Sequence, residues 1–145
     1  MPRFDRADAP DLLAAVGSEF WSVDGGDIDA AAVARWLPGN QGDIRAVVSI
    51  EPPAAGEEHA GMGAWHVNAR HELHLVRSGE GLLQVITDAG VVSVWVGSGD
   101  VMAMRGAEHR FRALTPQEWV LRWSGAPEDD LGARTTGRPS EAWPS

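Results

Sequence analysis

Short apolar runs separated by glycine turns dominate the chain from Asp43 to residue 124, and this pattern limits the possible fold more than any other feature. The runs predict strands at residues 43–50, 64–68, 72–77, 82–87, 91–96, 100–104, 109–114 and 118–124. The clearest turns are Gly79-Glu80-Gly81, Asp88-Ala89-Gly90 and Gly97-Ser98-Gly99-Asp100. Strands that recur about every 8–12 residues with such turns are typical of an antiparallel sandwich or barrel. We therefore predict an all-β domain.

Two segments outside the strands have a different pattern. Residues 10–16 and 27–37 predict short helices, the second of which starts at the N-cap Asp27 and ends at Pro38-Gly39. Residues 51–63 are rich in proline and glycine, which predicts a loop. We therefore expect short helices before the barrel and a long loop between its first two strands.

The chain has 145 residues, a length that fits one domain with a single core. Its last residues lose the strand pattern and gain proline, serine, threonine and charge. We expect one domain over residues 1–125 and a C-terminal tail over residues 126–145. Trp143 either holds this tail against the barrel or belongs to a loose end.

The composition excludes several mechanisms and partners. The chain has no cysteine, lysine or tyrosine, which excludes a disulfide, a thiolate nucleophile, a Schiff-base lysine and a tyrosine acid. Its net charge is −9 and its arginines form no basic stripe, which argues against binding to nucleic acid. No apolar stretch approaches the roughly 20 residues of a membrane span, and residues 1–6 lack the apolar core of a secretory signal. We expect a soluble cytoplasmic protein that acts on a small molecule.

The predicted strands on either side of residues 69–71 carry most of the predicted chemistry. Side chains alternate along a strand, so His66 and Asn68 share one face. A short turn at 69–71 can bring Glu72 to the same site, and His74 continues on that side. Imidazole nitrogen and carboxylate oxygen together are ligands that iron, manganese, nickel, cobalt and zinc accept. This segment therefore predicts a divalent metal site.

A third protein ligand is expected from a distant strand. His109 is the best candidate, because it opens a predicted strand just after the glycine turn at Gly106. The predicted site is thus one divalent metal ion on His66, Glu72 and His109. The remaining positions on such a metal are open, which is the mark of a catalytic rather than a structural site.

These residues resemble the sequence motifs of the cupin superfamily. The first motif of that family runs G-x5-H-x-H-x(3,4)-E-x6-G, and the second runs G-x5-P-x-G-x2-H-x3-N. The matching residues are Gly61, His66, Glu72 and Gly79 in the first motif and Gly99 and His109 in the second. Asn68 replaces the second histidine, and both motifs are one residue shorter than the family pattern. The resemblance implies a double-stranded β-helix (jelly-roll) barrel with short N-terminal helices, and it makes a homodimer an expectation.

Within this superfamily, residues 65–120 are most similar to acireductone dioxygenases. The shared features are Glu72, the Gly79-Glu80-Gly81 turn, Gly99-Asp100 and His109-Arg110-Phe111. In that family three histidines and one glutamate hold the metal, which implies that Asn68 occupies the fourth ligand position. His74 stands where the family has an arginine that contacts substrate. The resemblance implies one divalent transition metal, with iron or nickel first and manganese, cobalt or zinc as alternatives.

Several candidate residues have two interpretations. Asn68 either completes the metal shell through its amide oxygen or orients a bound water or substrate. His74 is either a catalytic acid or base or a hydrogen-bonded core histidine. Phe111 is predicted to form a wall of the substrate pocket, and Arg122 meets an anionic substrate if its face of the strand is the inner one. The histidines that we expect to take no part are His59 and His71.

Three functions are compatible with these predictions. The first is an acireductone-dioxygenase-like oxidoreductase whose enediol-type substrate chelates the metal and is cleaved with dioxygen, while His74 accepts a proton. The second is a non-oxidative metal cupin, such as an isomerase, cyclase or lyase, that uses the metal as a Lewis acid. The third is a small-molecule-binding cupin without turnover. We take the first as the working hypothesis.

Overall fold

A computed structural model describes residues 3–24, 30–31, 44–68, 72–104, 106–123 and 133–144 of the protein. These residues form helix α1 (Ala9–Ala15) and the strands β1 (Arg3–Phe4), β2 (Glu19–Ser22), β3 (Ile44–Ile50), β4 (His66–Asn68), β5 (Glu72–Ser78), β6 (Gly81–Thr87), β7 (Gly90–Val96), β8 (Asp100–Met104), β9 (His109–Ala113), β10 (Gln117–Trp123) and β11 (Ala133–Thr135). Within the described part of the chain, no helix has the length and apolar character needed to cross a membrane.

The strands form two antiparallel sheets that face each other. Sheet A has the strand order β1-β7-β6-β9-β4-β11, and sheet B has the order β2-β8-β5-β10-β3. Strands that follow one another in the chain mostly alternate between the sheets, and β6 and β7 form a hairpin within sheet A. This arrangement confirms the prediction of an all-β jelly-roll.

The predicted elements compare closely with those of the structure. Each predicted strand is present, with ends that shift by at most two residues, and α1 confirms the helix predicted at 10–16. The predicted loop at 51–63 contains no helix or strand. The helix predicted at 27–37 lies outside the described residues except for residues 30–31, which are helical.

Three short strands at the margins of the sheets were not predicted. β1 pairs with β7, β2 with β8, and β11 with β4. Each has only two to four residues, so its sequence is too short to show a period-2 pattern. Pairing with a strand far away in sequence, rather than local preference, sets their conformation.

The main apolar core lies between the two sheets. Alternate residues of the central strands point into it, as Val92, Val94 and Val96 do in β7. A second buried cluster lies on the outer face of sheet B and consists of Trp21, Leu73, Leu75, Val101, Ala103 and Val120. The central strands β5 and β8 of sheet B are therefore largely buried on both faces, whereas Val47 of the edge strand β3 is 46% exposed.

The structure explains why the turns contain glycine and why aspartate follows Gly99. Gly79 has φ +81°, and a Cβ there would meet a backbone oxygen of the neighbouring turn. A Cβ on Gly81 would lie 2.4 Å from the Phe111 ring, so that ring can pack only against glycine. Asp100 accepts hydrogen bonds from the backbone N–H of Gly97 and from a serine hydroxyl of β2. These residues shape the turns that lead into β6 and β8.

Candidate metal centre

Two histidines face each other across neighbouring strands of sheet A. His66 begins β4 and His109 begins β9, and they are directly aligned in the antiparallel register. Both side chains are buried and line the cavity between the sheets. Their ring centroids are 4.3 Å apart. The sequence therefore brings together two imidazoles that lie more than forty positions apart in the chain.

A backbone carbonyl two residues earlier fixes each ring. The Nδ1 of His66 lies 2.8 Å from the Ala64 oxygen, and the Nδ1 of His109 lies 2.7 Å from the Ala107 oxygen. A carbonyl oxygen only accepts hydrogen bonds, so each Nδ1 carries a proton, and Nε2 is the nitrogen that can bind a metal when the ring is neutral. A hydrogen bond of this kind is how proteins set the tautomer of a metal-binding histidine.

Glu72 and His74 approach the histidines from sheet B. Both residues point inward from β5, and Glu72 is only 1% exposed. The His74 Nε2 lies 2.8 Å from Glu72 Oε1, a contact that becomes an ion pair when the imidazole is protonated. The second carboxyl oxygen, Glu72 Oε2, has no hydrogen-bond partner among the described residues. A buried carboxylate with an unused oxygen is costly unless a further positive group binds it.

The protonation states of the cluster also suit a ligand set. Burial, and after it the proximity of His66, lowers the pKa of the His109 imidazole to about 4, so this ring is neutral at pH 7. Burial alone would raise the pKa of the Glu72 carboxyl. The attraction of His74, with smaller contributions from His109 and His66, outweighs burial and leaves this pKa below its usual value. At pH 7 the site thus combines a carboxylate with a neutral imidazole, which are the forms that bind metal ions.

Asn68 completes the group that we call the inner cluster, which consists of His66, Asn68, Glu72, His74 and His109. Asn68 lies two residues after His66 on the same face and lines the cavity, and its amide oxygen Oδ1 has no hydrogen-bond partner in the described part of the chain. Within the described ranges, no three His, Asp or Glu side chains are already arranged to hold a metal ion. The donor chemistry fits one nevertheless, because two oxygens without hydrogen-bond partners and two oriented imidazoles face one cavity.

The cavity beside the inner cluster has a volume of about 440 Å³. Its wall beyond the cluster is largely apolar, and among the described residues no arginine lines it. The main apolar lining residues are Val48, Ile50, Met62, Leu83, Met102, Met104, Phe111, Trp119 and Leu121. The cavity therefore has a polar end at the inner cluster and an apolar body.

The remaining predicted residues occupy different places. Phe111 lines the cavity, whereas Arg122 does not. The register explains this, because Leu121 is aligned with the inward-facing His74 and Arg122 is aligned with the outward-facing Leu73. Arg122 therefore lies on the face away from the site, and it does not meet a substrate bound in this cavity.

His59 and His71 are the two histidines that were expected to take no part in the site. His59 does not line the cavity, but it stacks on Phe111 and its Nε2 accepts a hydrogen bond from the backbone N–H of Ala113 at 2.9 Å. It therefore fixes the loop that contributes Ala60, Gly61 and Met62 to the cavity wall. His71 lies outside the described residues.

Sequence reasoning missed Trp119 as a residue of the site. Its ring lies 5.2 Å from the His74 ring and 4.7 Å from the Phe111 ring, and its Nε1 has no hydrogen-bond partner within the described ranges. The alternation of Trp119 and Leu121 was visible in the sequence. The sequence did not show whether Trp119 and Leu121 face the cavity or the outside, because alternation gives only the orientation of side chains relative to one another.

Comparison with known proteins supports the fold. No family model matches the sequence, and no curated protein gives a significant match. The structure is similar to acireductone dioxygenase from Bacillus anthracis with a cadmium ion in its active centre, with a TM-score of 0.64, 13% identity, and coverage of 88% of this chain and 93% of that one. It is also similar to the S161A mutant of Bacillus subtilis oxalate decarboxylase, with a TM-score of 0.47, 15% identity, and coverage of 82% and 27%. The chain has the all-β cupin jelly-roll fold.

Proposed function

We propose that the protein is a metal-dependent cupin enzyme, similar to acireductone dioxygenases, that acts on a small substrate with neighbouring oxygen atoms, such as an enediol. The observation that most supports this function is the buried Glu72 carboxylate, which faces two oriented imidazoles and keeps one oxygen unpaired. Buried polar atoms without partners are rare in folded proteins, so their concentration here favours a ligand.

In this proposal His66, Glu72 and His109 hold one divalent transition metal, and Asn68 occupies or borders the fourth position. Iron and nickel are our first expectations, and manganese, cobalt and zinc accept the same nitrogen and oxygen donors. The acireductone dioxygenase of similar fold was determined with cadmium in its active centre. When bound, the metal would supply Lewis-acid chemistry that holds and polarises the oxygens of the substrate.

His74 is the proposed proton acceptor. Its Nε2 lies at the polar end of the cavity, 2.8 Å from Glu72 Oε1. In this proposal a substrate hydroxyl transfers its proton to the neutral His74 imidazole, and the neighbouring carboxylate stabilises the imidazolium that results. The two oxygens of Glu72 then have separate roles, with Oε1 facing His74 and Oε2 available as a ligand.

The apolar body of the cavity limits the rest of the substrate. Met102, Met104 and Phe111 lie beyond the inner cluster, and no arginine of the described ranges is available there to pair with an anion. A charged group buried in this wall would have no partner, which is unfavourable by several kcal/mol. We therefore expect an uncharged substrate whose polar oxygens lie at one end.

One observation favours a second function, a non-oxidative isomerase, cyclase or lyase. Asn68 offers a neutral oxygen where a histidine would offer nitrogen, and a weaker donor leaves the metal a stronger Lewis acid. The pair of His74 and Glu72 can also transfer a proton between two atoms of a substrate without dioxygen.

The test is metal analysis of the purified protein, followed by turnover assays with enediol substrates under air and without oxygen. His109→Ala is the matched control for the metal site. Stoichiometric metal together with oxygen uptake supports the dioxygenase, and product formation that does not need oxygen supports the second function. A protein that binds metal and substrate without turnover would contradict both enzymatic proposals.

A further inference from the structure

The two histidine-bearing strands have little direct contact with each other. β4 and β9 are aligned at a single position, His66 with His109. β9 is held on its other side by β6 over all five of its residues. Among the described residues β4 has no ladder of that length inside the barrel, and the Met62 oxygen shortly before it accepts a hydrogen bond from the Phe111 N–H of β9 at 2.8 Å. The position of His66 therefore also depends on what holds the other edge of β4.

That support comes from the C-terminal residues. β11 pairs with all three residues of β4, including Thr135 with His66. The next residue, Thr136, donates its backbone N–H to the Trp65 oxygen at 2.9 Å. We call residues 133–144 the C-terminal clamp. The clamp thus pairs with β4 along its whole length, whereas β9 is aligned with β4 only at His66.

The C-terminal clamp also contacts the residues that flank His109. Glu108, which precedes that histidine, accepts a hydrogen bond from Thr136 Oγ1 at 2.6 Å. It also forms a bidentate pair with Arg138, in which Nε and Nη2 each lie 2.8 Å from a carboxyl oxygen. Arg110, which follows the histidine, donates to the Glu141 oxygen at 2.8 Å and lies 3.9 Å from the centre of the Trp143 ring. The clamp therefore holds the residues on both sides of His109.

We infer that the C-terminal clamp positions the two imidazoles for the metal by bridging β4 and β9 on the outer face of sheet A. The reason is the way in which the rings are oriented. Each Nδ1 is hydrogen-bonded to the backbone of residue 64 or 107, which adjoins Trp65 or Glu108. A shift of the backbone at these clamped residues therefore changes the direction of Nε2 inside the cavity. Arg138 and Glu108 are positioning residues, because they act on the site without touching it.

This inference rests on the proposed metal site, and Co²⁺ titration followed by visible absorption tests both. The variants are Arg138→Ala, Glu108→Gln and the two combined. Arg138 is largely exposed, so its loss should leave the barrel folded, as circular dichroism would verify. The matched control is Arg77→Ala, which removes an ion pair with Glu118 at 3.2 Å on sheet B, at the opposite end of β5 from Glu72.

Each single variant should weaken Co²⁺ binding by about tenfold, at the low end of what loss of an outer-shell partner causes. Each should also alter the Co²⁺ absorption spectrum, and the double variant should be no worse than the more severe single one. Arg77→Ala should match the unmodified protein in affinity and spectrum. Unchanged Co²⁺ binding in all variants would contradict the clamp alone, whereas absence of Co²⁺ binding in the unmodified protein would contradict the metal site and the clamp together.

Discussion

Neighbouring residues at the start of β9 belong to two polar groups that differ in how far their hydrogen bonds are satisfied. His109 points into the cavity, while Glu108 and Arg110 on either side of it contact the C-terminal clamp. Both oxygens of Glu108 accept hydrogen bonds from the clamp. In the inner cluster, by contrast, Glu72 Oε2 and Asn68 Oδ1 have none. This short segment thus connects a polar group whose hydrogen bonds are largely satisfied to a polar group whose buried oxygens lack hydrogen-bond partners.

This difference distinguishes polar side chains that stabilise the fold from polar side chains that are available to bind a ligand. A buried network whose members satisfy one another stabilises one conformation, whereas buried acceptors without partners indicate that something else binds there. Arg110 Nη1 also lacks a hydrogen-bond partner, but its guanidinium lies over the Trp143 ring, whose face stabilises a cation. The unpaired oxygens of the inner cluster have no such substitute in the described parts of the chain.

The largest effect should follow removal of either histidine. His66→Ala and His109→Ala should each weaken metal binding by more than about 100-fold, since loss of a ligand costs more than the 10–100-fold typical of an outer-shell partner. The barrel should stay folded, because both residues lie at strand ends. Metal content and circular dichroism provide the measurements, and His59→Ala is the matched control. If either variant kept a full equivalent of metal, that residue would not be a ligand.

His74→Ala should affect turnover and leave metal content unchanged. Loss of a general base typically lowers the rate by ~10²–10⁴-fold. The measurement is kcat with an enediol substrate beside the metal content of the same sample. Met104→Leu, a conservative change in the cavity wall, should retain most activity. Loss of metal from His74→Ala would make this residue a ligand, and unchanged turnover would make it a structural histidine.

Asn68→His should have a smaller and opposite effect on the metal. An imidazole is a better donor than an amide for nickel or iron, so the variant should bind either metal more tightly. Competition with a chelator measures this affinity, with Asn68→Ala as the partner variant expected to bind more weakly. If both variants matched the unmodified protein, Asn68 would lie outside the ligand shell.

The smallest effect concerns His59, which is a hydrogen-bond acceptor outside the inner cluster. Burial, and then repulsion by Arg112, lowers the pKa of this imidazole, whereas Glu58 partly opposes the shift. The folded state therefore favours the neutral ring, and its contribution to stability is complete above about pH 6.5 and is lost as the pH falls through the lower folded value.

His59→Asn keeps an acceptor for the Ala113 N–H but cannot titrate. Its free energy of unfolding should fall less steeply below pH 6.5 than that of the unmodified protein, by ~1 kcal/mol or less, which is the contribution of one hydrogen bond. Urea denaturation above and below this pH measures the difference. Parallel pH profiles for the two proteins would show that His59 does not contribute in this way.

Local pattern was sufficient to predict most of the fold and part of the site. Alternation placed His66 and Asn68 on one face, and the turn before Glu72 predicted that this carboxylate would join them. Alternation could not decide which face of β10 is the inner one, and that choice depends on the pairing of Leu121 with His74. A contact of Trp143 with the barrel was one of two alternatives predicted for the tail, and its ring centre lies 3.9 Å from the Arg110 guanidinium. The other contacts of the C-terminal clamp were beyond prediction, because they join residues about thirty positions apart and involve a strand of three residues.

The most direct measurement of the proposed site is an anomalous difference map from crystals grown with Ni²⁺ or Co²⁺. A single strong peak is expected inside the cavity, bonded to the Nε2 atoms of His66 and His109 and to Glu72. The Nδ1 atoms of both rings should remain on their backbone carbonyls. A peak elsewhere, such as beside the exposed carboxylates of Glu57 and Glu58, or no peak at a full equivalent of metal, would contradict the assignment of the inner cluster as a metal centre.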